Sequence, residues 1–191
     1  KFTPGDLAMT SPSSTWLDNA QRYGIVSRCL HWLMAAGFAW QFTSATLHWL
    51  AKDSAIEKFF WSTHPSLGFA LLVLAVIRAA WGLVNLRRRP GHAAGWAGRA
   101  AAAGHLLLYA LMIAVPVIAV LRAYGRGRGF SPFGVTIMQP TGQEIPALVD
   151  LGAALHGELG WVLLAVIAGH IAMVLVHRRI GEDVLPRMAG R

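Results

Sequence analysis

The sequence predicts an all-α integral membrane protein, a four-helix up-and-down bundle, and three observations carry that prediction. Four apolar stretches each approach the ~20 residues needed to cross a hydrocarbon core of about 30 Å. Charged residues make up only 14% of the 191-residue chain, and they gather between the apolar stretches instead of spreading along every segment. The stretches are continuous rather than alternating, which excludes the strand pattern of a membrane β-barrel. A mean hydropathy of +0.47 agrees, and a chain of this length holds one compact bundle and no second domain.

The elements follow in order. Residues 1–21 are polar and rich in Ser, Thr and Pro; they read as a flexible lead without the apolar core of a cleavable signal peptide. Residues 22–191 form the bundle domain. Its first span runs from about Arg28 to Leu50, its second from about His64 to Leu86. The third runs from about Ala103 to Leu121 and carries Pro116, a kink that membrane helices tolerate where neighbours satisfy the freed carbonyl. The fourth runs from about Leu155 to His177. The segment 122–154 is the longest connection, rich in Gly and Pro, and is expected to fold over one end of the bundle. Cys29 is the single cysteine, so a disulfide framework and cysteine-held zinc or iron–sulfur sites are excluded. It reads as a small apolar residue near a helix start.

Loop charge orients the bundle. One side carries Lys1, Arg22, Arg28, Arg87, Arg88, Arg89, Arg99, Arg178, Arg179, Arg187 and Arg191. The other carries Lys52, Lys58, Arg122, Arg126 and Arg128, balanced by Asp53, Glu57, Glu144, Asp150 and Glu158. The positive-inside rule puts both termini and the 87–102 loop in the cytoplasm of a bacterial inner membrane. Trp49 and Trp61 then mark the outer interface, Trp81 and Trp96 the inner one. The net charge of +8 is thus a matter of topology and gives no reason to invoke nucleic acid.

Histidines carry the chemistry. His31 lies near the inner start of the first span and His64 near the outer start of the second. His156 and His170 share the fourth span at a spacing of fourteen residues, which leaves them about 40° apart around the helix and about 21 Å apart along it. Alternating helix direction puts His31 level with His170 and His64 level with His156. Two imidazoles at each of two depths are what two six-coordinate b-type haems need, one ring nitrogen on iron and the other held by a hydrogen bond. Gly68, Gly160 and Gly169 lie beside these positions, where a missing side chain admits a flat porphyrin. His105 lies at the depth of His31, so three histidines compete for two inner axial positions. His105 and His48 are read as supporting or interfacial residues, and His92 as a solvated loop residue.

Simpler readings exist. A lone intramembrane histidine is often an interhelical hydrogen-bonding residue, but four at matched depths exceed that. A proton relay usually recruits Asp or Glu, and no carboxylate falls mid-span. Ionisable groups at membrane depth are functional by default. Arg78, within the second span, either snorkels to the interface or pairs with a haem propionate or a quinone oxygen. His177, two turns beyond His170, either protonates reduced quinone or caps the helix end.

Several stretches resemble the bacterial cytochrome b561 family. They are Arg22-Tyr23-Gly24, Leu30-His31-Trp32-Leu33-Met34-Ala35, His64 with Gly68 and Arg78, Gly104-His105 with Tyr109 and Pro116, and Phe133-Gly134. The His156/His170 pair, the most specific of them, and the tail Asp183-Val184-Leu185-Pro186-Arg187-Met188 complete the set. The resemblance implies two haem b groups, with His31/His170 and His64/His156 as the axial pairs. Within that family the short chain is similar to the superoxide oxidase type. This implies oxidation of superoxide at the outer face and reduction of ubiquinone, with Lys52, Lys58, Arg122, Arg126 and Arg128 available to attract the anion. Other members are cytochrome b subunits of hydrogenases and formate dehydrogenases, so an electron-transfer anchor for a periplasmic dehydrogenase is the alternative. An ascorbate- or metal-reducing cytochrome and a haem-free membrane channel or scaffold are the remaining rivals. No hydrolase triad, phosphate-binding loop or carboxylate dyad is present, so no catalytic side chain is assigned; the partners expected are quinone, a donor at the outer face, lipid and, in the anchor reading, a protein.

Overall fold

The computed structural model describes residues 16–91, 95–181 and 184–189. The expectations placed on residues 1–15, on His92, on Asp183 and on Arg191 lie outside these. Four long helices make the fold: α1 (Ile25–Leu50), α2 (Ala55–Val84), α3 (Gly95–Gly125) and α4 (Pro146–Arg179), followed by a short α5 (Leu185–Ala189). Among the described residues the only β pairing is one isolated bridge, Phe130 with Met138.

Each helix starts before the apolar stretch that predicts it, for local reasons, although α2 ends at Val84, two residues short of the predicted Leu86. α2 begins nine residues before His64 because the Ser54 hydroxyl caps the Glu57 N–H at 3.2 Å, satisfying one of the orphan donors of the first turn. α4 begins at Pro146, whose fixed φ and missing N–H suit a first helical position. It ends on His177, Arg178 and Arg179, where cations complement the helix dipole. Pro65 and Pro116 lie inside α2 and α3 without ending either.

Contacts run in opposite order along successive helices, which makes the bundle antiparallel. From the start of α1 they are Ser27 with Trp81, His31 with Arg78, Gly37 with Leu71, Ser44 with His64, and His48 with Glu57. Between α3 and α4 they are Gly125 with Leu148, Arg122 with Gly152, Val115 with His156, and His105 with His170. A β-carbon at Gly37 would lie 2.8 Å from the Leu71 side chain, so the glycine leaves room for that buried leucine between α1 and α2. The end where α1 starts is called proximal here, and the opposite end distal.

α1 packs on α2, α2 on α3 and α3 on α4, whereas α4 does not close tightly onto α1. The buried core is correspondingly small: Met34, Ala75, Leu108, Leu111, Met112, Val115 and Leu163. Large apolar side chains face outward along the bundle, among them Val76, Leu106, Val162 and Ile171, as expected of a protein whose solvent there is lipid. α2, α3 and α4 are each long and apolar enough to cross a membrane. α1, of 26 residues, has the length but carries Gln41, Thr43, Ser44, Thr46 and His48 in its distal half.

The long connection shrinks to 126–145 once the helices are drawn, and it does fold over the distal end. The Phe133 N–H donates to Ser66 Oγ at 3.1 Å and the Phe130 ring meets Phe69 at 5.7 Å. Gly127, at φ 64, closes the loop against the Gln143 carbonyl where a β-carbon would collide. At the proximal end Asp18, fully buried, accepts from the Gly24 N–H at 2.8 Å and from Arg89 Nε at 3.1 Å. α5 docks beside it, through Tyr23 N–H to the Arg187 carbonyl and Trp32 Nε1 to the Met188 carbonyl.

Candidate cofactor site

Two histidine pairs stand at opposite ends of the bundle, each with one member on α4. At the distal end the ring centres of His64 and His156 lie 6.3 Å apart with planes at 87°. Hydrogen bonds fix both tautomers. The buried Ser44 hydroxyl donates its one proton to the Gln41 carbonyl at 2.8 Å, so it accepts from His64 Nδ1 at 2.7 Å. His156 Nδ1 lies 3.0 Å from the Val115 carbonyl, which can only accept. Both rings therefore carry their proton on Nδ1 and leave the Nε2 lone pair free.

At the proximal end His31 and His170 have ring centres 6.4 Å apart with planes at 64°. His105 also reaches His170, at 5.4 Å and 78°, and its Nδ1 donates to the Ala101 carbonyl at 2.7 Å. Arg78 Nη2 lies 3.1 Å from His31 Nδ1. A guanidinium only donates, so here the His31 proton sits on Nε2, the reverse of the distal rings. The Arg78 guanidinium also lies 5.6 Å above the Tyr109 ring. It is thus turned into the bundle and does not snorkel away from it. His177 lies in the last turn of α4 with Arg178 and Arg179, two turns past His170.

The residues fit a haem in two respects. Metal–imidazole bonds of about 2 Å, with the distance from nitrogen to ring centre added on either side, put two axial rings about 6.4 Å apart. The observed 6.3 and 6.4 Å match. Gly160 and Gly169 face open space, with nothing within 4 Å of where a β-carbon would sit, so a flat macrocycle can approach α4. Gly68 differs: the Gln41 amide stands 3.1 Å from that point, so this glycine makes room for Gln41, which donates to the His64 carbonyl. Among the described residues no three His, Cys, Asp or Glu side chains converge as ligands for a bare metal ion. Paired imidazoles suit a metal that brings its own equatorial ligands.

Sequence reasoning missed the residues that hold the distal pair. Ser44 and Gln41 lie within the first span and belong to no motif that would single them out. Ser54-x-x-Glu57 has the form of a capping box, in which Glu57 reaches back to the cap. Instead its carboxylate bonds His48 Nδ1 at 2.7 Å, and the His48 ring lies flat on Trp61. Both contacts tie His48 of α1 to α2 at the distal end.

The family model described as prokaryotic cytochrome b561 matches residues 22–191. Cytochrome b561 homolog 2 of Escherichia coli (strain K12) is 29% identical over 184 residues, covering 93% of this chain and 96% of that protein. Cytochrome b561 homolog 1 of the same organism is 28% identical over 170 residues, covering 85% and 93%. The probable superoxide oxidase CybB of Yersinia pestis is 29% identical over 168 residues, covering 85% and 92%.

Proposed function

The chain belongs to the prokaryotic cytochrome b561 family, a family of haem b electron-transfer proteins of membranes, and from that premise we propose that it is a two-haem superoxide:ubiquinone oxidoreductase. The observation that carries this reading is the pair of histidine couples, with ring centres 6.3 and 6.4 Å apart, at opposite ends of one bundle. In this reading α1 crosses the bilayer with α2, α3 and α4. The distal end faces the outside of the inner membrane and both termini lie in the cytoplasm, as loop charge favours.

His64 with His156 would hold one haem and His31 with His170 the other. The two groups, when bound, supply one-electron redox chemistry at two depths. The chain's own residues do the rest. Ser44 and the Val115 carbonyl hold the distal rings in the tautomer that offers Nε2. Ligation by His31 requires Arg78 to release Nδ1, and a haem propionate or a quinone oxygen offers its guanidinium a better acceptor. His105 supports His170 from α3. His177 is assigned to proton supply for reduced quinone. Lys52, Lys58, Arg122, Arg126 and Arg128 attract a small anion to the distal face, and the pairing of Glu57 with His48 removes one acidic competitor.

A second reading has its own observation. The distal loop exposes Phe133, Val135 and Ile137, an apolar surface that a periplasmic dehydrogenase could cover if the chain were its electron-transfer anchor.

The deciding experiment is the optical spectrum of the purified protein with haem counted per chain, followed by anaerobic addition of superoxide with ubiquinone. Two b haems reduced at once, with ubiquinol following, is the expected result. Two haems inert to superoxide would transfer the assignment to the anchor. No haem would leave a membrane scaffold or channel and overturn the proposal.

A further inference from the structure

Glu57 is 4% exposed although it lies in the first turn of α2. Its Oε1 is 2.7 Å from His48 Nδ1. The His48 ring lies flat on Trp61, centres 3.8 Å apart and planes at 7°, and Trp61 stacks in turn on His64 at 4.5 Å and 30°. A continuous stack therefore runs from a buried carboxylate to a ring proposed as an axial ligand. At the proximal end Trp32 meets His31 edge-on, at 77°, instead of lying against the ring face.

The two contacts on His64 do different work. The Ser44 hydrogen bond fixes the ring at one atom, Nδ1, and leaves the plane free to swing about that point. The indole lies against the ring face and opposes that swing. A ligand constrained by both packing and hydrogen bonding is held to a narrow angular range. The angle it keeps is 87° to His156.

We infer that Trp61, held by the Glu57–His48 pair, is a positioning residue that sets the plane of the His64 imidazole and with it the crossed arrangement of the distal axial ligands. The inference rests on the proposed ligation by His64 and His156. The angle between axial imidazole planes governs the splitting of the iron d orbitals, so crossed planes give ferric low-spin haem an unusually large maximum g value. Burial and hydrogen bonding around the ligand, to which the Trp61 ring and its partners contribute, bear on the midpoint potential as well.

The test uses the full-length purified protein with its haems, as wild type and as Trp61→Leu, Trp61→Phe and Glu57→Ala. Electron paramagnetic resonance of the oxidised protein and an equilibrium redox titration are read together with haem content. The proximal haem serves as the internal control. Trp61→Leu should lower the maximum g value of one low-spin signal and displace one titration wave, leaving the other of each in place. Trp61→Phe, which keeps a flat ring, should restore most of both, and Glu57→Ala should move the same signal by less. Both signals unmoved in Trp61→Leu would overturn the inference, as would an equal displacement of both. If Trp61→Leu loses a haem, Glu57→Ala decides alone, a moved signal supporting the inference and an unmoved one ending it. A wild type without low-spin haem signals would remove the proposed ligation itself, a failure distinct from unmoved signals in a protein holding two haems.

Discussion

Arg78 Nη2 lies 3.1 Å from Nδ1 of His31, whereas the group hydrogen-bonded to Nδ1 of His64 is the neutral hydroxyl of Ser44. The two histidine pairs are therefore electrostatically unlike. A guanidinium next to the proximal centre favours the added electron there, because Coulomb interactions strengthen where water is excluded. In the proposed two-haem reading, that asymmetry would favour electron flow from the distal end to the proximal one.

Replacing Arg78 by Leu should lower the midpoint potential of the proximal haem and slow quinone reduction, and Lys should preserve much of both. Redox titration and quinone kinetics on the two variants check this. A titration curve identical to wild type would refute the electrostatic role.

Ser44→Ala removes the acceptor on His64 Nδ1 at a position that is 0% exposed. Loss of such an outer partner weakens metal binding by about 10–100-fold. Haem should pass faster from the distal site to an excess of apomyoglobin, and the proximal haem should be retained at the wild-type rate. Equal retention at both sites would show that the hydroxyl plays no part.

His105 and His31 both reach His170, at 5.4 and 6.4 Å between ring centres. With His31 as the ligand, His105→Ala keeps two haems per chain while His31→Ala and His170→Ala each lose one. Pyridine haemochrome quantification reads this directly. One haem in His105→Ala together with two in His31→Ala would exchange the roles of the two histidines.

Asp18→Ala leaves the Gly24 N–H and Arg89 Nε without their partner inside the proximal cap. Breaking a buried pair by removing one member costs about 3–5 kcal/mol. The lower end applies here, because Arg89 keeps 22% side-chain exposure and can turn to water. Hydrogen exchange of residues 16–24 should lose protection while the four long helices keep theirs. Protection unchanged in that segment would show that the ion pair does not hold the cap.

Much of the fold was legible because membrane spans are written in composition. No water is available at depth, so a span must be helical and apolar over a nearly fixed length. The boundaries were less legible. α2 starts at Ala55 and α3 at Gly95, because backbone hydrogen bonding continues past the apolar run wherever a cap such as Ser54 permits. That histidines lie at membrane depth was legible for the same reason as the spans, because a polar ring there stands out; the choice of His31, His64, His156 and His170 over His105 rested on the family resemblance. The surroundings of Gly68 were not legible, since a glycine near a histidine looks alike in sequence whether it faces a porphyrin or the Gln41 amide.

The sequence by itself determined that this chain is a helical membrane bundle, which helices run antiparallel, and which histidines share a depth. Those properties depend on local composition, on helical periodicity and on chain direction. Only the tertiary structure decided that Ser44 holds His64, that Glu57 leaves its own helix cap for His48, and that Arg78 turns inward to His31. Each of these joins side chains on different helices. Their meeting depends on how far each helix is rotated about its axis and how closely its neighbour approaches, and no spacing within a single helix encodes either.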